Sequence, residues 1–520
     1  MPTPRQHGGA ALEHIPFNLP AFKGLNSQAK SAVVGPEWAT VLQNTVIDDN
    51  NRVAARKGWG KTTTVALTDE ITMMTTYDNG GVEEIIVVTD ANTIHKSQNN
   101  GSTWSAITGT ATVTDDTMEF VELAGTLLGL QASGVIIQYT GTTFSNLGAT
   151  SEPAGGVGLA AFGRLWVKDT ATSLKYCALL DESDWTGSDA GTFDLTSVWG
   201  EPDEIQAIEN FNGALIIFGM RNIVVYTDGS GSKLGLDPVT AYVADIIRGV
   251  GCIARDSVVN VKGDLWFLDD TGVHSLGRLI SERSNPLNNI SKNVQDEVIN
   301  RVALIADKST IRAVYSPKDR FYLLSLPSGA LGSTDSGASI VFDTRGPLED
   351  GAFRCVGIWI QLVPRSVVVT EDLTILSSLA PKTGEVGTYS TYLDDTDTYS
   401  VDYESAWLDL GVPHTKIVKR LSGIFSIGGE TVITFKWGFD FEGSLSQSAQ
   451  ATYTGGTDPS EWGIGEYGVA EFGAGAAALE NKVGGRGTGE FIKVGFTSII
   501  NTTSLAVQQI ALYAKTGRMR

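Results

Sequence analysis

The stretch FNGALIIFGMRNIVVYTDG, from Phe211 to Gly229, decides the fold of this chain because it is one complete β-hairpin. An apolar strand is followed by a tight turn of the Gly, Asp and Asn type, and then by a second strand of β-branched and aromatic residues. The stretch VKGDLWFLDDTGVHSLG, from Val261 to Gly277, repeats this pattern. A hairpin that returns along a chain indicates a repeat architecture.

Weaker copies of the hairpin begin at Glu84, Thr126, Phe162, Asp319 and Asp372. Their starts lie roughly 35 to 60 residues apart, and a period of this size with several strands per unit is typical of a β-propeller. The sequence therefore predicts an all-β fold with a propeller of six or seven blades over residues 61–400. A propeller is more often a rigid scaffold than an indication of particular chemistry.

The segments on either side of the repeats differ from them in composition. In residues 1–60 the basic side chains outnumber the acidic ones, and Pro and Gly interrupt the stretch, which predicts an extended arm with short strands, suited to lie on another surface. Residues 401–520 contain longer alternating strands such as TVITFKWGFDFEG, which favour a β-sandwich. We thus expect three domains, with boundaries near residues 60 and 400.

One helix is predicted among the strands. Ser291 can cap its N-terminus, and Val294, Val298 and Val302 repeat at every fourth position along one face.

Composition limits the function classes. The 520 residues carry a formal net charge of −21, which argues against affinity-driven binding to phosphate backbones or anionic membranes. The three cysteines form no Cys-x-x-Cys pair, so we expect buried free thiols and no metal site or cofactor. No apolar run approaches the length of a membrane span, and the first residues lack the apolar core of a signal peptide.

The stretch SQNNGSTW, from Ser97 to Trp104, resembles the Asp-box of sialidase-like propellers, with Asn99 at the position of the aspartate. In such boxes the polar side chain ties a hairpin turn and the tryptophan packs between blades. The resemblance implies a structural role, with Trp104 buried at a blade edge.

Two acidic runs are candidates for a channel wall or a docking surface, although polar turns between strands account for most such runs. Paired carboxylates can also serve glycoside hydrolysis. The runs consist of Asp181, Glu182 and Asp184, and of Asp394, Asp395 and Asp397. The five histidines are scattered and predict neither a metal site nor a catalytic triad, so we expect no enzymatic activity.

The stretch EWGIGEYGVAEFGAG repeats a Glu-aromatic-Gly unit three times, with Trp462, Tyr467 and Phe472 as the aromatic residues. We expect a long loop, whose aromatic side chains either pack on the sandwich or dock a partner.

Three stretches together resemble the tail nozzle, or tail hub, proteins of short-tailed bacteriophages, including the packaged-DNA stabilisation group. Members tend to open with a run that ends in Asn, followed after a gap by Arg-x-Gly, and Asn44, Arg56 and Gly58 match this pattern. Their propeller core is matched in RLWVKDTATSLKYCALLDESDWTG and in the segment around Gly251-Cys252 and Ser257. The third stretch runs from GGRGTGEFIKVGF to the final ALYAKTGRMR.

This resemblance implies a non-enzymatic virion protein that is made in the host cytoplasm and assembled into the phage tail. Such proteins form a homohexameric ring below the connector (adaptor) and portal proteins, and tail fibres, spikes or a needle attach to the ring. Double-stranded DNA passes through the ring without sequence-specific contacts, and no cofactor is involved.

A carbohydrate-binding or sialidase-like propeller remains the alternative. It requires arginines and carboxylates clustered at the centre of the propeller, and a lectin would instead expose aromatic side chains such as Trp462 to sugar.

Overall fold

The computed structural model describes residues 13–18, 22–29, 34–229, 235–282, 289–327, 337–379, 382–409, 414–454 and 478–516. Within these ranges strands are the main element of structure, and nearly all of them pair antiparallel. Six short strands precede the first repeat: β1 (Glu13–Asn18), β2 (Gly24–Leu25), β3 (Trp38–Gln43), β4 (Thr45–Ile47), β5 (Val53–Ala55) and β6 (Trp59–Lys61).

The next strands form successive small sheets, each of which is a propeller blade numbered from its innermost strand outwards. Blade 1 contains β7 (Ile71–Asp78), β8 (Glu83–Thr89), β9 (Ile94–Ser97) and β10 (Ser105–Ala106), and blade 2 contains β11 (Glu119–Leu123), β12 (Thr126–Leu130), β13 (Ile137–Tyr139) and β14 (Phe144–Asn146). Blade 3 contains β15 (Gly158–Ala161), β16 (Arg164–Lys168), β17 (Ser173–Tyr176) and β18 (Gly191–Asp194). Blade 4 contains β19 (Ile205–Phe211), β20 (Ala214–Gly219), β21 (Asn222–Asp228) and β22 (Ala241–Arg248).

Blade 5 has three strands, and the strands of blades 6 and 7 follow it. Blade 5 contains β23 (Val259–Val261), β24 (Asp264–Asp269) and β25 (Gly272–Ser275). Blade 6 contains β26 (Arg312–Ser316), β27 (Phe321–Leu326), β28 (Ala338–Pro347) and β29 (Phe353–Trp359), and blade 7 contains β30 (Pro364–Val369), β31 (Ile375–Leu379) and β32 (Val386–Tyr389). Helix α1 (Thr196–Trp199) lies between blades 3 and 4, and α2 (Leu276–Glu282) and α3 (Gln295–Leu304) lie between blades 5 and 6.

Hydrophobic side chains fill the spaces between neighbouring blades, so the seven blades form a closed ring. Ile71 and Met74 of blade 1 pack against Leu376 and Val386 of blade 7, which joins the last blade to the first. Strand β6 pairs with β32 as the outermost strand of blade 7, so an early segment of the chain completes the final sheet. The predicted β-propeller is confirmed, with seven blades in the described residues.

The turn that joins the first two strands of a blade explains the repeated sequence pattern. Asn212 and Gly213 have φ angles of 50° and 78°, and Lys262 and Gly263 have φ angles of 55° and 86°. Two successive residues with positive φ match the type I′ turn, whose twist suits a two-residue hairpin. The second position of each pair is glycine because it adopts this conformation without steric cost.

The last strands form two sheets that face each other as a sandwich. They are β33 (Tyr399–Ser405), β34 (Lys416–Ile427), β35 (Glu430–Phe439), β36 (Gln447–Thr454), β37 (Ala478–Gly484), β38 (Thr488–Gly489), β39 (Ile492–Ile500) and β40 (Leu505–Thr516). One sheet has the order β37-β34-β40-β5-β4, with β1 beside β40 and β38 beside β34. The other continues from blade 6 in the order β29-β3-β33-β39-β35-β36, with β2 beside β3.

The short strands predicted in residues 1–60 are present in the described part of this segment, where they pair with strands of the same chain. Strand β1 pairs with β40 over six residues, β3 lies between β29 and β33, and β5 pairs with both β4 and β40. These strands are too short to show alternation in the sequence, and they complete sheets whose other members lie hundreds of residues away. A deletion of residues 1–30 would therefore remove β1 and β2 from the sandwich.

The predicted helix is present, but its start differs from the prediction. Val294, Val298 and Val302 are buried as expected. Ser291 does not cap the helix, because its hydroxyl accepts a hydrogen bond of 2.9 Å from the N–H of Val273. With the N–H of Ile290 bonded to the carbonyl of Val273, this segment covers the outer edge of the three-stranded blade 5.

The Asp-box-like turn lies between β9 and β10, at the outer part of blade 1. The side-chain oxygen of Asn99 accepts a hydrogen bond from the N–H of Thr103 at 3.0 Å, and its amide donates to the Thr103 hydroxyl at 2.9 Å. The Ser97 hydroxyl accepts from the N–H of Gly101 at 3.0 Å. Trp104 is half-buried and packs on the cluster between blades 1 and 7, so its predicted burial is partial.

Replacement of Asn99 by Ala is expected to lower the free energy of unfolding by about 1–2 kcal/mol, since the three hydrogen bonds of its side chain with Ser97 and Thr103 are lost. The denaturant midpoint measures this loss. Asn99→Asp, which restores the usual Asp-box residue, is the matched control and should remain close to the parent chain. Equal midpoints for Asn99→Ala and the parent would show that the turn does not depend on this side chain.

Candidate functional site

The junction between propeller and sandwich contains a buried ion pair that joins distant parts of the chain. Arg56 is fully buried, and its guanidinium donates to both carboxylate oxygens of Asp394 at 2.8 and 2.6 Å. Its Nε donates to the side-chain oxygen of Asn44 at 3.0 Å, and the guanidinium lies 4.1 Å from the centre of the Tyr399 ring. A bidentate pair with this geometry fixes the relative position of both partners.

Gly58 belongs to the same junction because the backbone comes too close for a side chain. A Cβ atom at this position would lie 2.0 Å from the carbonyl oxygen of Leu393. The next residue, Trp59, donates its N–H to the carboxylate of Asp394 at 3.1 Å. We call Asn44, Arg56, Gly58 and Asp394 the junction clamp. It ties the end of the sandwich strand β5 to the closing strand β6 of blade 7.

Asp394 was a predicted channel or docking residue, and the structure contradicts this assignment. Its side chain is buried and serves as the counter-charge of Arg56. In the sequence this acidic run had the pattern of a polar turn. The burial of Asp394 could not be seen there, because its partner Arg56 lies 338 positions earlier in the chain. Asp395 is half-buried, 3.4 Å from Lys382, whereas Asp397 is exposed and 3.9 Å from the same lysine.

The first acidic run lies in the turn between β17 and β18, at the outer part of blade 3. Asp181 accepts hydrogen bonds from the hydroxyl and the N–H of Ser183 at 2.6 and 3.0 Å, and these bonds lower its pKa. Asp184 accepts from the N–H groups of Thr186 and Gly187, and Glu182 is half-buried. The run therefore forms a polar turn far from the propeller axis. Its place on the wall of an assembled ring stays a prediction.

The three aromatic residues of the Glu-aromatic-Gly repeat, Trp462, Tyr467 and Phe472, lie outside the described residues. Their docking role stays a prediction as well.

Charged side chains bridge the propeller axis, a feature for which the sequence contained no signal. Arg255 donates to the carbonyl oxygens of Gly156 in front of blade 3 and Thr117 in front of blade 2, at 2.6 and 2.8 Å. Asp256 pairs with Arg255 and with Arg312 of blade 6, each at 2.8 Å. Burial alone would raise the pKa of Asp256, but the two guanidiniums hold it below its ordinary value. We call Arg255, Asp256 and Arg312 the axial bridge.

Two carboxylates lie on innermost strands beside the axial bridge. Glu119 of β11 accepts a hydrogen bond of 2.7 Å from the N–H of Gly158. It keeps some solvent access within the central opening, but protein surrounds it, and this burial raises its pKa to about 8 although Arg255 lies nearby. Burial also raises the pKa of Glu209 on β19 to about 7.

Glu119 is expected to make the protein less stable as the pH rises. Its pKa in the folded state is about 8, above the ordinary value of 4.5, so between pH 5 and 8 the folded chain holds a proton that the unfolded chain lacks. Stability then falls with rising pH by up to about 1.4 kcal/mol per pH unit. In Glu119→Gln this contribution disappears.

Denaturant midpoints of the parent and Glu119→Gln at pH 5, 6.5 and 8 measure the effect. The variant should gain stability relative to the parent as the pH rises. Glu122→Gln, on the same strand but exposed, is the control and should follow the parent. Parallel pH profiles for the parent and Glu119→Gln would contradict the assignment.

A cavity of about 630 Å³ opens beside the axial bridge on one face of the propeller. Asp115, Lys168, Glu204, Arg255 and Asp307 are among its lining residues. The charged groups already have partners in the protein: Lys168, for example, lies 2.7 Å from Glu204, and Asp115 accepts the N–H groups of Thr117 and Ala132.

Other chemistry is sparse in the described ranges. No group of His, Cys, Asp and Glu side chains there has the arrangement of a metal site. No described helix has both the length and the apolar character needed to cross a membrane. Cys177, Cys252 and Cys355 are buried free thiols as predicted, and burial raises the pKa of Cys177 to about 11 and of the other two to about 12.

Comparisons with known proteins give no family for this chain. No protein-family model and no curated protein matches it. Among solved structures it is similar to a chain of the mitotic checkpoint complex (TM-score 0.40, 10% identity, 64% of this chain and 93% of the other). It is also similar to U3-55K (0.38, 10%, 62% and 96%) and to YCF48 bound to D1 peptide (0.36, 10%, 65% and 98%). Similarity this low gives no indication of function.

Proposed function

We propose that this chain is a structural protein of a short phage tail, six copies of which form a closed ring around the DNA exit channel. The observation that carries the proposal is the junction clamp. Asn44, Arg56 and Gly58, the positions that match the opening pattern of tail nozzle proteins, meet at one point of the fold together with Asp394. Motif residues that meet in one contact of the fold support the resemblance better than matching positions in the sequence alone.

The way the two domains are joined suits a part that bears load. The blade 6 sheet continues into the sandwich where Ile358 of β29 pairs with Gln43 of β3, and the junction clamp adds a second connection. Two such connections oppose hinge motion between propeller and sandwich, because bending must break paired strands or a buried ion pair. A ring that retains packaged DNA benefits from subunits of this kind.

In this proposal the DNA channel is the lumen of the ring and not the axis of the propeller, which the axial bridge crosses. The net charge of −21 favours a lumen that repels DNA from every side. The exposed acidic residues of the two runs, among them Asp181 and Asp397, remain candidates for its wall. Connector, portal, fibre, spike or needle proteins would bind the two ends of the ring.

DNA binding by the purified protein tests whether the lumen repels DNA. At low salt, a duplex of random sequence should show no tight binding. The acidic surface offers few Lys and Arg side chains that could neutralise phosphates and release their counterions. Tight binding that weakens steeply with salt would contradict a repelling lumen.

A sialidase-like function is the second candidate, and two observations favour it: the Asp-box-like turn, and guanidiniums and carboxylates that meet at the propeller axis. However, Arg255 and Arg312 are paired with Asp256, so they are not available to bind an acidic sugar without rearrangement. Hydrolysis of a fluorogenic sialoside separates the two proposals. We expect none, and activity that disappears in Arg312→Ala would favour the enzyme.

A further inference from the structure

One end of the sandwich exposes a small aromatic cluster. The ring of Phe441 lies 5.3 Å from that of Trp407 and 4.7 Å from that of Phe491, measured between ring centres. Trp407 is buried beneath it, whereas Phe441 is 49% exposed. A large apolar side chain on top of a buried aromatic residue provides a contact point for a further apolar group.

The backbone holds Phe441 in this position at a cost. Asp440 and Phe441 have φ angles of 47° and 64°, in the left-handed region that bulky residues avoid. For a bulky residue such as Phe441 this conformation is strained, and it persists only where neighbouring groups enforce it. The carboxylate of Asp440 does so by accepting the N–H groups of Glu490 and Phe491 at 2.7 and 3.0 Å.

The rim of the cluster is acidic. Glu442 and Glu490 are both exposed, and neither forms an ion pair with another described residue. The site therefore suits an apolar segment that also carries a positive charge.

The chain itself brings a segment of this chemistry to the same end of the sandwich. Strand β1 begins at Glu13, which pairs with Ala514 of β40. At the same end of this sheet, Lys416 of β34 pairs with Thr516 of β40 and with Gly489 of β38. Gly489 lies beside the turn at Asp440. Three interstrand spacings, about 14 Å, separate β1 from this corner. The twelve residues before Glu13 reach up to roughly 40 Å when extended.

Those residues, MPTPRQHGGAAL, contain two prolines and Arg5 but no acidic side chain. We propose that residues 1–12 dock on the aromatic cluster of their own chain, with the Met-Pro-x-Pro stretch against Phe441 and Arg5 between Glu442 and Glu490. Proline-rich segments bind aromatic surfaces because their backbone is already extended and loses little entropy on binding. This contact is independent of the proposed ring.

A disulfide between engineered cysteines tests the placement in the full chain. Thr3→Cys with Gly443→Cys, an exposed position with free space for a side chain, should form a disulfide within one chain on mild oxidation, seen as a monomer of altered mobility on a non-reducing gel. The three native thiols are buried and will contribute little. Thr3→Cys with Thr502→Cys, at the opposite end of the sandwich, is the control and should not link within the chain. Disulfides only between chains, or equal linkage in both variants, would overturn the proposal.

Hydrogen exchange in the full chain provides the second test. Phe441→Gly removes the ring and relieves the positive φ, so the variant should fold at least as well as the parent. Amides within residues 1–12 should exchange at least tenfold faster in this variant than in the parent. Ile499→Ala, which truncates another exposed apolar residue of the sandwich, should leave them unchanged. Unprotected amides in the parent, or equal rates in Phe441→Gly, would overturn the proposal.

Discussion

Replacement of Arg56 by Ala is expected to lower the free energy of unfolding by about 3–5 kcal/mol, because it leaves the buried carboxylate of Asp394 without a counter-charge. The loss should concentrate at the junction. The three-residue strand β6 depends on the clamp to stay in register with β32, so amides of blade 7 and β5 should exchange fastest in the variant.

The denaturant midpoint and hydrogen exchange measure this effect together. Arg320→Ala is the matched control, because Arg320 is about half exposed and lies 3.4 Å from an exposed Asp49; such surface pairs contribute about 0–1 kcal/mol. The double variant Arg56→Met with Asp394→Leu removes both charges and should lose less than Arg56→Ala alone. A midpoint for Arg56→Ala equal to that of Arg320→Ala would show that the clamp does not hold the domains together.

Replacement of Asp256 by Asn is expected to lower the free energy of unfolding by a similar amount, about 3–5 kcal/mol, because here two cations lose their shared counter-charge. The guanidiniums of Arg255 and Arg312 both pair with this carboxylate and cannot lose their charge near neutral pH. Without it, the buried guanidinium of Arg312 and the half-buried one of Arg255 face each other at the propeller axis with no carboxylate between them. The contacts from blade 6 to blades 2 and 3 through the axial bridge are then weakened.

Thermal unfolding and limited proteolysis of Asp256→Asn test the axial bridge. Asp245→Asn, on the outermost strand of blade 4, is the control for the change of charge and should behave as the parent. A second substitution, Arg312→Met, should restore part of the stability of Asp256→Asn, because it removes one of the two facing cations. No change of stability in Asp256→Asn would mean that the ring of blades closes without this bridge.

Local sequence patterns were sufficient to predict the propeller. Hairpins such as Phe211–Gly229 carry their information within about twenty residues, since strand alternation and a glycine-containing turn are both local properties. The same holds for Val298 and Val302 of the helix and for Asn99 of the Asp-box-like turn. Local patterns also placed the longer sandwich strands after residue 400.

Contacts between distant parts of the chain were not predictable in this way. Nothing near Asp394 in the sequence distinguishes a buried counter-charge from a solvated turn, because that depends on Arg56. Short strands were expected before residue 60, but their pairing with β40 and β33 depends on residues hundreds of positions away. Ser291 bonds to Val273 instead of capping the helix, because blade 5 lacks an outer strand. The axial bridge likewise exists only once seven blades surround one axis.

The mass of the purified protein in solution tests the central claim most directly. Sedimentation at micromolar concentration should show a closed assembly of six copies, about 330 kDa, six times the 55.3 kDa of one chain, with images of a ring that has an open lumen. A monomer of 55.3 kDa at all concentrations, or an open filament without a lumen, would contradict the account.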